Sequence, residues 1–308
     1  MRRFKKILYV YEDSSDAALP TFRLALELAK RNGGQVDLIN VFDSRQAAFA
    51  STTGILLRAR WLKDAKKSLR AFANSVNPGN DLKIKIVEGR PHVEIVREVI
   101  RNGYDLVIRP VGPGDLIDRL LGRLDLRLLR HCPCPVWLSK GEAYGEFDTV
   151  LAAVDGGRPN SEAVEDALNR QILELAYSLC ADNEARLHVG HAWYLPYMSM
   201  YTHRRAGFSK KVLDEYLSDE MKFHKNWLNR LMRRATKWVG TDMSKPVKRH
   251  THLPQGTPGL EIPKLIEKIQ ADVVIMGTVA RAGISGFVMG NTAEQILDKI
   301  TCSVLAVK

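Results

Sequence analysis

The chain repeats itself. Thr149 to Asp155 (TVLAAVD) echoes Lys6 to Glu12 (KILYVYE). The turn Gly256-Thr257-Pro258 echoes Gly89-Arg90-Pro91, and Asp272-Val-Val-Ile echoes Asp105-Leu-Val-Ile, both 167 residues on (256 − 89 and 272 − 105). Gly290 follows Gly122, and Cys302-Ser-Val follows Cys134-Pro-Val, by 168 (290 − 122 and 302 − 134). Anchors in one order at nearly one offset mark a duplicated unit. A chain of 308 residues suits two domains. They are expected at 1–143 and 147–308, joined across the polar, glycine-bearing Lys140 to Phe147. The second copy also carries an insertion around Tyr194 to Lys237, chiefly a basic helix.

Each copy alternates strand and helix. In the first, strands are expected at Lys5 to Tyr11, Val36 to Phe42, Leu82 to Val87, Asp105 to Ile108 and Val136 to Ser139. Between them, helical periods run over Leu19 to Lys30, Ile55 to Val76, Val93 to Arg101 and Asp125 to His131. Strands alternating with helices predict a parallel sheet covered on both faces, so the fold class is α/β with two tandem, doubly wound, Rossmann-like domains.

Several function classes lose support. No apolar run approaches the roughly 18 residues of a membrane span. The start, MRRFKKILYVYED, imitates a signal peptide, but its apolar run stops at Glu12 and it reads better as a first strand. Cys132, Cys134, Cys180 and Cys302 form no C-x-x-C pair, which fits reduced thiols and a cytoplasmic location. The net charge of +11 raises a polyanion partner, yet the basic residues lie along helix faces without aromatic interleaving or a recognition motif. That disfavours nucleic acid.

In a doubly wound sheet, ligands sit outside the carboxyl ends of the strands where strand order reverses. In the second copy this singles out Asp155 after the first strand and Gly277 after the fourth. Gly290, Asn291 and Thr292 then open a helix, with Asn291 expected as N-cap and Glu294 completing a capping box. A carboxylate opposite an anion-holding loop suits a nucleotide: Asp155 accepts from ribose or base, while Gly277, Gly290, Asn291 and Thr292 hold phosphates. On the other view Asp155 is a turn residue and the glycines serve loop geometry.

These residues resemble the universal stress protein family. The carriers are the duplicated pattern, VLAAVDGG, the Q-G-T-P turn and the G-x-x-A-x9-G spacing from Gly277 through Ala280 to Gly290. The tandem E-type branch is most similar, through GTVARAG, the GNTAEQ ending and the CPCPV stretch, and the resemblance spans essentially the whole chain. It implies a five-stranded parallel sheet per domain in the order 3-2-1-4-5, a cytoplasmic stress-response role, and pairing of the last strands, Val136 to Ser139 and Val304 to Lys308, into a pseudo-dimer. A homodimer is a further option. It also implies ATP, with Mg²⁺ only alongside ATP, at Ala153, Asp155, Ala192, Met276, Gly277, Gly290, Asn291 and Thr292.

Two positions depart from the family motif. Ala280 stands for the second glycine and adds a methyl where phosphate-bearing backbone must come close. Asn291 stands for a hydroxyl residue, while Thr278 and Arg281 offer a hydroxyl and a charge nearby. The first copy departs further. Glu12 replaces Asp155, Pro110 replaces Gly277, and Asp125 stands near the helix start where a phosphate would sit. Like-charge repulsion there predicts a degenerate, structural first copy.

Other signals are thinner. His250 and His252 share a strand face and His191 ends another strand, but no Cys or carboxylate joins them as zinc ligands, so no metal site is assigned. Cys132-Pro-Cys134 reads as a pair of core thiols. No nucleophile–base pair is present in the pattern, so any ATP hydrolysis is expected to be slow and the role regulatory. The competing expectation is an apolar, lipid-like ligand or a protein partner, because Ala280, Ile284, Phe287, Val288 and Met289 make the loop more apolar than phosphate binding requires.

Overall fold

The computed structural model describes residues 4–12, 16–43, 52–77, 82–111, 123–142, 146–156, 162–195, 209–278 and 289–308. Two compact units divide the chain: Met1–Phe147 with Thr278–Lys308, and Asp148–Gly277. The larger unit therefore takes the last strand and helix of the second repeat along with all of the first.

In the larger unit the strands are β1 (Lys6–Val10), β2 (Gln35–Asp43), β3 (Ile84–Gly89), β4 (Leu106–Pro110), β5 (Val136–Ser139) and β10 (Ser303–Val307). The first five pair in parallel in the order β3-β2-β1-β4-β5. This is the 3-2-1-4-5 order implied by the resemblance. β10 then pairs with β5 antiparallel, Leu305 opposite Trp137. The two last strands do meet, as the resemblance implied. The helices are α1 (Ala18–Asn32), α2 (Thr52–Val76), α3 (Pro91–Asn102), α4 (Arg123–His131) and α9 (Asn291–Leu297).

The smaller unit holds β6 (Thr149–Ala153), β7 (Arg186–Gly190), β8 (Arg249–His252) and β9 (Val273–Gly277) in the parallel order β8-β7-β6-β9. This repeats the first four positions of the other copy. Its helices are α5 (Glu162–Asn183), α6 (Lys210–Val239), α7 (Thr241–Ser244) and α8 (Pro258–Ile269).

The repeated sequence anchors have physical jobs. Asp105 accepts from the backbone N–H groups of Lys5 at 2.8 Å and Lys6 at 3.0 Å. Asp272 accepts from those of Asp148 and Thr149, both at 2.8 Å. In each copy an aspartate thus ties the fourth strand to the start of the first and sets their register. Along both faces the strands are apolar: Ile7, Leu8, Leu106, Val107, Val136, Leu151, Val273 and Val274 are all buried, the signature of a parallel sheet under helices. Buried Phe22, Leu24 and Ala25 on α1 and Leu173, Ala176 and Tyr177 on α5 supply part of the cover.

The turns Gly89-Arg-Pro and Gly256-Thr-Pro also match. Gly89 has φ +153° and Gly256 φ +147°, and a Cβ on either would lie 2.6 Å from the Cγ of Glu94 or Glu261. Each proline then opens its helix at the first turn, where no N–H is missed. Because geometry and crowding are the same in both copies, Gly89→Ala and Gly256→Ala should destabilise their own units alike, by about 1–3 kcal/mol each. Urea unfolding followed by tryptophan fluorescence should show a lowered midpoint for both variants.

Candidate functional site

In the smaller unit β6 lies between β7 and β9, so strand order reverses there and the crevice falls beyond the carboxyl ends of β6 and β9. Ala153 is opposite Gly190 on one side and Met276 on the other. Asp155 follows two residues after Ala153 and is exposed; Ala192 and Met276 are buried, and Gly277 ends β9. These five residues, Ala153, Asp155, Ala192, Met276 and Gly277, come together at one end of the unit. A Cβ on Gly277 would lie 2.5 Å from Leu168 Cδ2, so close helix–strand packing already demands a small residue there.

Asn169 escaped the sequence reading. Buried on α5, it accepts from the Asp155 N–H through Oδ1 at 3.2 Å and donates through Nδ2 to the Asp155 carbonyl at 2.7 Å. It clamps the loop after β6 from both backbone sides. The available signal was an asparagine on the helix face that carries Ile172, Leu173 and Ala176.

The inserted helix α6 adds an imidazole pair near this loop. His191 is buried, its Nε2 lies 3.0 Å from His224 Nδ1, and its Nδ1 lies 3.4 Å from the Val154 carbonyl oxygen. A carbonyl only accepts, so the consistent arrangement protonates His191 Nδ1 and lets His224 Nδ1 donate to His191 Nε2. Trp227 lies tilted against His191 with ring centroids 4.5 Å apart, and Trp193 against His224 at 5.4 Å. Burial lowers the His224 pKa, opposed by the Glu220 and Asp155 carboxylates.

In the larger unit Thr278 is buried; its N–H donates to Val307 O at 3.1 Å and its hydroxyl to the same oxygen at 3.4 Å. Gly290 N–H donates to Thr278 O at 3.1 Å, fixing the far end of the loop. Asn291 and Thr292 are exposed. The expected capping box is absent. Gly290 is the N-cap of α9, Asn291 is already helical, and among the described residues no side chain caps the helix. The Glu294 carboxylate instead takes two hydrogen bonds from Arg130, at 3.1 and 2.7 Å. Ala280 and Arg281 lie outside the described residues, as do Ile284, Phe287 and Val288; Met289 is buried.

The corresponding place in the first repeat is filled from within. Arg109, near the end of β4 and buried, donates through Nη1 to Asp125 and through Nη2 to Glu12. Asp125 is fully buried in the first turn of α4. The carboxylate expected near this helix start is therefore held by an arginine of the same copy. A buried pair of this kind resists being opened, because removing one partner strands the other charge at a cost of about 3–5 kcal/mol.

Three more histidines meet on β7 and β8. His188 Nδ1 lies 2.9 Å from His252 Nε2, and the His188 and His250 rings are 4.9 Å apart. Among the described residues no group of three or more His, Cys, Asp and Glu is placed to hold a metal. Burial, with His252, His250 and Arg186 adding repulsion, lowers the His188 pKa to about 4.

The profile of the universal stress protein family matches residues 3–140 and 146–308, so the chain belongs to that family of stress-response proteins. Universal stress protein E of Escherichia coli (strain K12) is 28% identical over an alignment of 323 residues that covers 100% of this chain and 95% of the relative. Two solved structures share the fold. A Pseudomonas aeruginosa PAO1 protein of unknown function matches with a TM-score of 0.69 and 24% identity, over 100% of this chain and 93% of the other. A universal stress protein from Archaeoglobus fulgidus DSM 4304 matches at 0.61 and 17%, over 98% and 96%. No helix among the described residues is long and apolar enough to cross a membrane.

A depressed histidine pKa sets the sign of a pH effect. The unfolded chain takes up a proton near pH 6.5 while folded His188 resists until about pH 4. Its contribution is complete above 6.5 and is lost as pH falls toward 4. The thermal midpoint of the protein should drop across this window, and His188→Asn should flatten part of the drop in a scan from pH 7 to 4.

Proposed function

We propose that the second repeat, residues 147–308, binds a nucleotide of the ATP type and that the first, residues 1–143, is structural. The observation that carries this reading is the contrast between equivalent positions. Glu12 and Asp125 are engaged by buried Arg109 in the first repeat. In the second, Asp155 is exposed on a loop held by Asn169, and Asn291 and Thr292 are exposed in the first turn of α9. Asp155 accepts from the ribose or base, and the backbone of Gly277, Gly290, Asn291 and Thr292 meets the phosphates, with Ala153, Ala192 and Met276 against the base. Arg281 and Thr278 lie along the same stretch. Mg²⁺ enters only with ATP.

The protein acts as a cytoplasmic sensor or regulator, with hydrolysis slow or absent, and a homodimer is compatible with this role. Membership of a stress-response family supports a regulatory role. The buried Met289 and the apolar run before it favour the second reading, an apolar or lipid-like ligand.

Calorimetry with ATP on nucleotide-free protein tests the proposal. Wild type should give saturable heat and a raised thermal midpoint. Asp155→Ala should weaken binding about tenfold, the loss of one charge-assisted hydrogen bond. No heat and no thermal shift would overturn the proposal, and an acyl chain in the mass spectrum of co-purified material would favour the second reading.

A further inference from the structure

Beside α4, and outside the nucleotide reading altogether, two thiols touch. Cys132 and Cys134 flank Pro133 in the link from α4 to β5, and their sulfurs are 3.5 Å apart. Both are buried, Cys132 fully and Cys134 at 8% exposure. The Lys308 ammonium donates to the Leu129 carbonyl, and its charge acts on both thiols. A C-x-C pair reads from its spacing as two core cysteines; here the two thiols turn toward one another.

We propose that Cys132 and Cys134 form a peroxide-sensitive dithiol that closes reversibly to an intramolecular disulfide. The sulfurs already touch, so closure needs a contraction of about 1.5 Å to reach bonding distance. Chemistry favours the same pair. The neighbouring thiol and the Lys308 charge lower the pKa of Cys132 against burial, whereas Cys134 is raised, chiefly by its bond to Cys132. The thiolate of the pair is thus the nucleophile and its partner the resolving thiol. The third buried thiol, Cys180, is raised to about 12 by burial alone and is unreactive by the same rule.

The steps balance. The thiolate of the pair attacks one oxygen of hydrogen peroxide; an S–O bond forms, the O–O bond breaks, and the departing hydroxide takes the partner thiol's proton as water. The partner thiolate then attacks the sulfenic sulfur; the S–S bond forms, the S–O bond breaks, and the second hydroxide takes a proton from Lys308. Two electrons pass from the dithiol to peroxide and two waters leave. Lys308 suits this last role, since burial lowers its pKa to about 8. A bridge between residues two apart is strained, which makes it easy to reduce and so reversible.

The test treats reduced, full-length protein with hydrogen peroxide, then alkylates the remaining thiols and maps peptides by mass spectrometry. The expected product loses two hydrogens, carries a Cys132–Cys134 bridge, leaves Cys180 and Cys302 alkylated, and recovers fully with a dithiol reductant. The Cys180→Ser/Cys302→Ser double variant should behave the same, and Lys308→Gln should slow closure several-fold. Four alkylatable thiols after peroxide, or a disulfide joining any other pair, would overturn the proposal. The readout requires no nucleotide, so it stands or falls apart from ATP binding.

Discussion

The antiparallel pairing of β10 with β5 is the contact on which the larger unit depends. A five-stranded parallel sheet ends in an open edge, and the edge here, Val136 to Ser139, is wholly apolar except for its serine. Left bare, it would offer unpaired N–H and C=O groups to any other strand. β10 covers it, with Val304, Leu305 and Ala306 opposite Leu138, Trp137 and Val136. The second repeat's last strand thereby becomes part of the first repeat's unit, so the compact units do not follow the boundary between repeats. Polar bonds flank this seam: Lys140 N–H donates to Ser303 Oγ at 2.9 Å, and the Lys140 ammonium reaches the Thr301 carbonyl.

With the sheet secured, the two copies part company in chemistry. Both keep the aspartate that ties the fourth strand to the first, and both keep the glycine–proline turn with its following glutamate. These are framework positions. At the carboxyl ends of the strands the copies differ. The first spends a buried arginine to join Glu12 and Asp125, whereas the second puts alanine, glycine and an exposed aspartate there and lays the inserted helix α6 nearby with His224 and Trp227. Part of the positive charge that looked available for polyanions is also engaged: Arg234 pairs with Asp166, with one bond at 2.8 Å, and stands 5.6 Å from the Trp238 ring centroid.

Much of the framework was legible because its signals are local. Runs of β-branched residues, glycine stops and repeated anchors marked the strands from Lys6 to Val307, and the ends fell within two residues of expectation for those in the first copy. Motif positions after β6 and β9 were readable for the same reason. What the pattern did not contain was contact between distant residues. Arg109 carries no mark of the two carboxylates it joins across gaps of 16 and 97 residues. Asn169 is 14 residues from the loop it clamps, and His191 meets His224 only because the insertion folds back. The capping box failed for a different reason: the helix begins at Asn291 itself, and Glu294 has a better partner in the Arg130 guanidinium.

The central claim is an asymmetry, a ligand-bearing second repeat beside a first repeat closed by its own ion pairs. Photolabelling with an azido-ATP probe, followed by peptide mapping, tests it most directly. The account predicts label confined to peptides of the second repeat that contain Asp155, Ala192 or the stretch from Met276 to Thr292, displaced by excess ATP. Displaceable label on peptides carrying Glu12, Arg109 or Asp125 would contradict it.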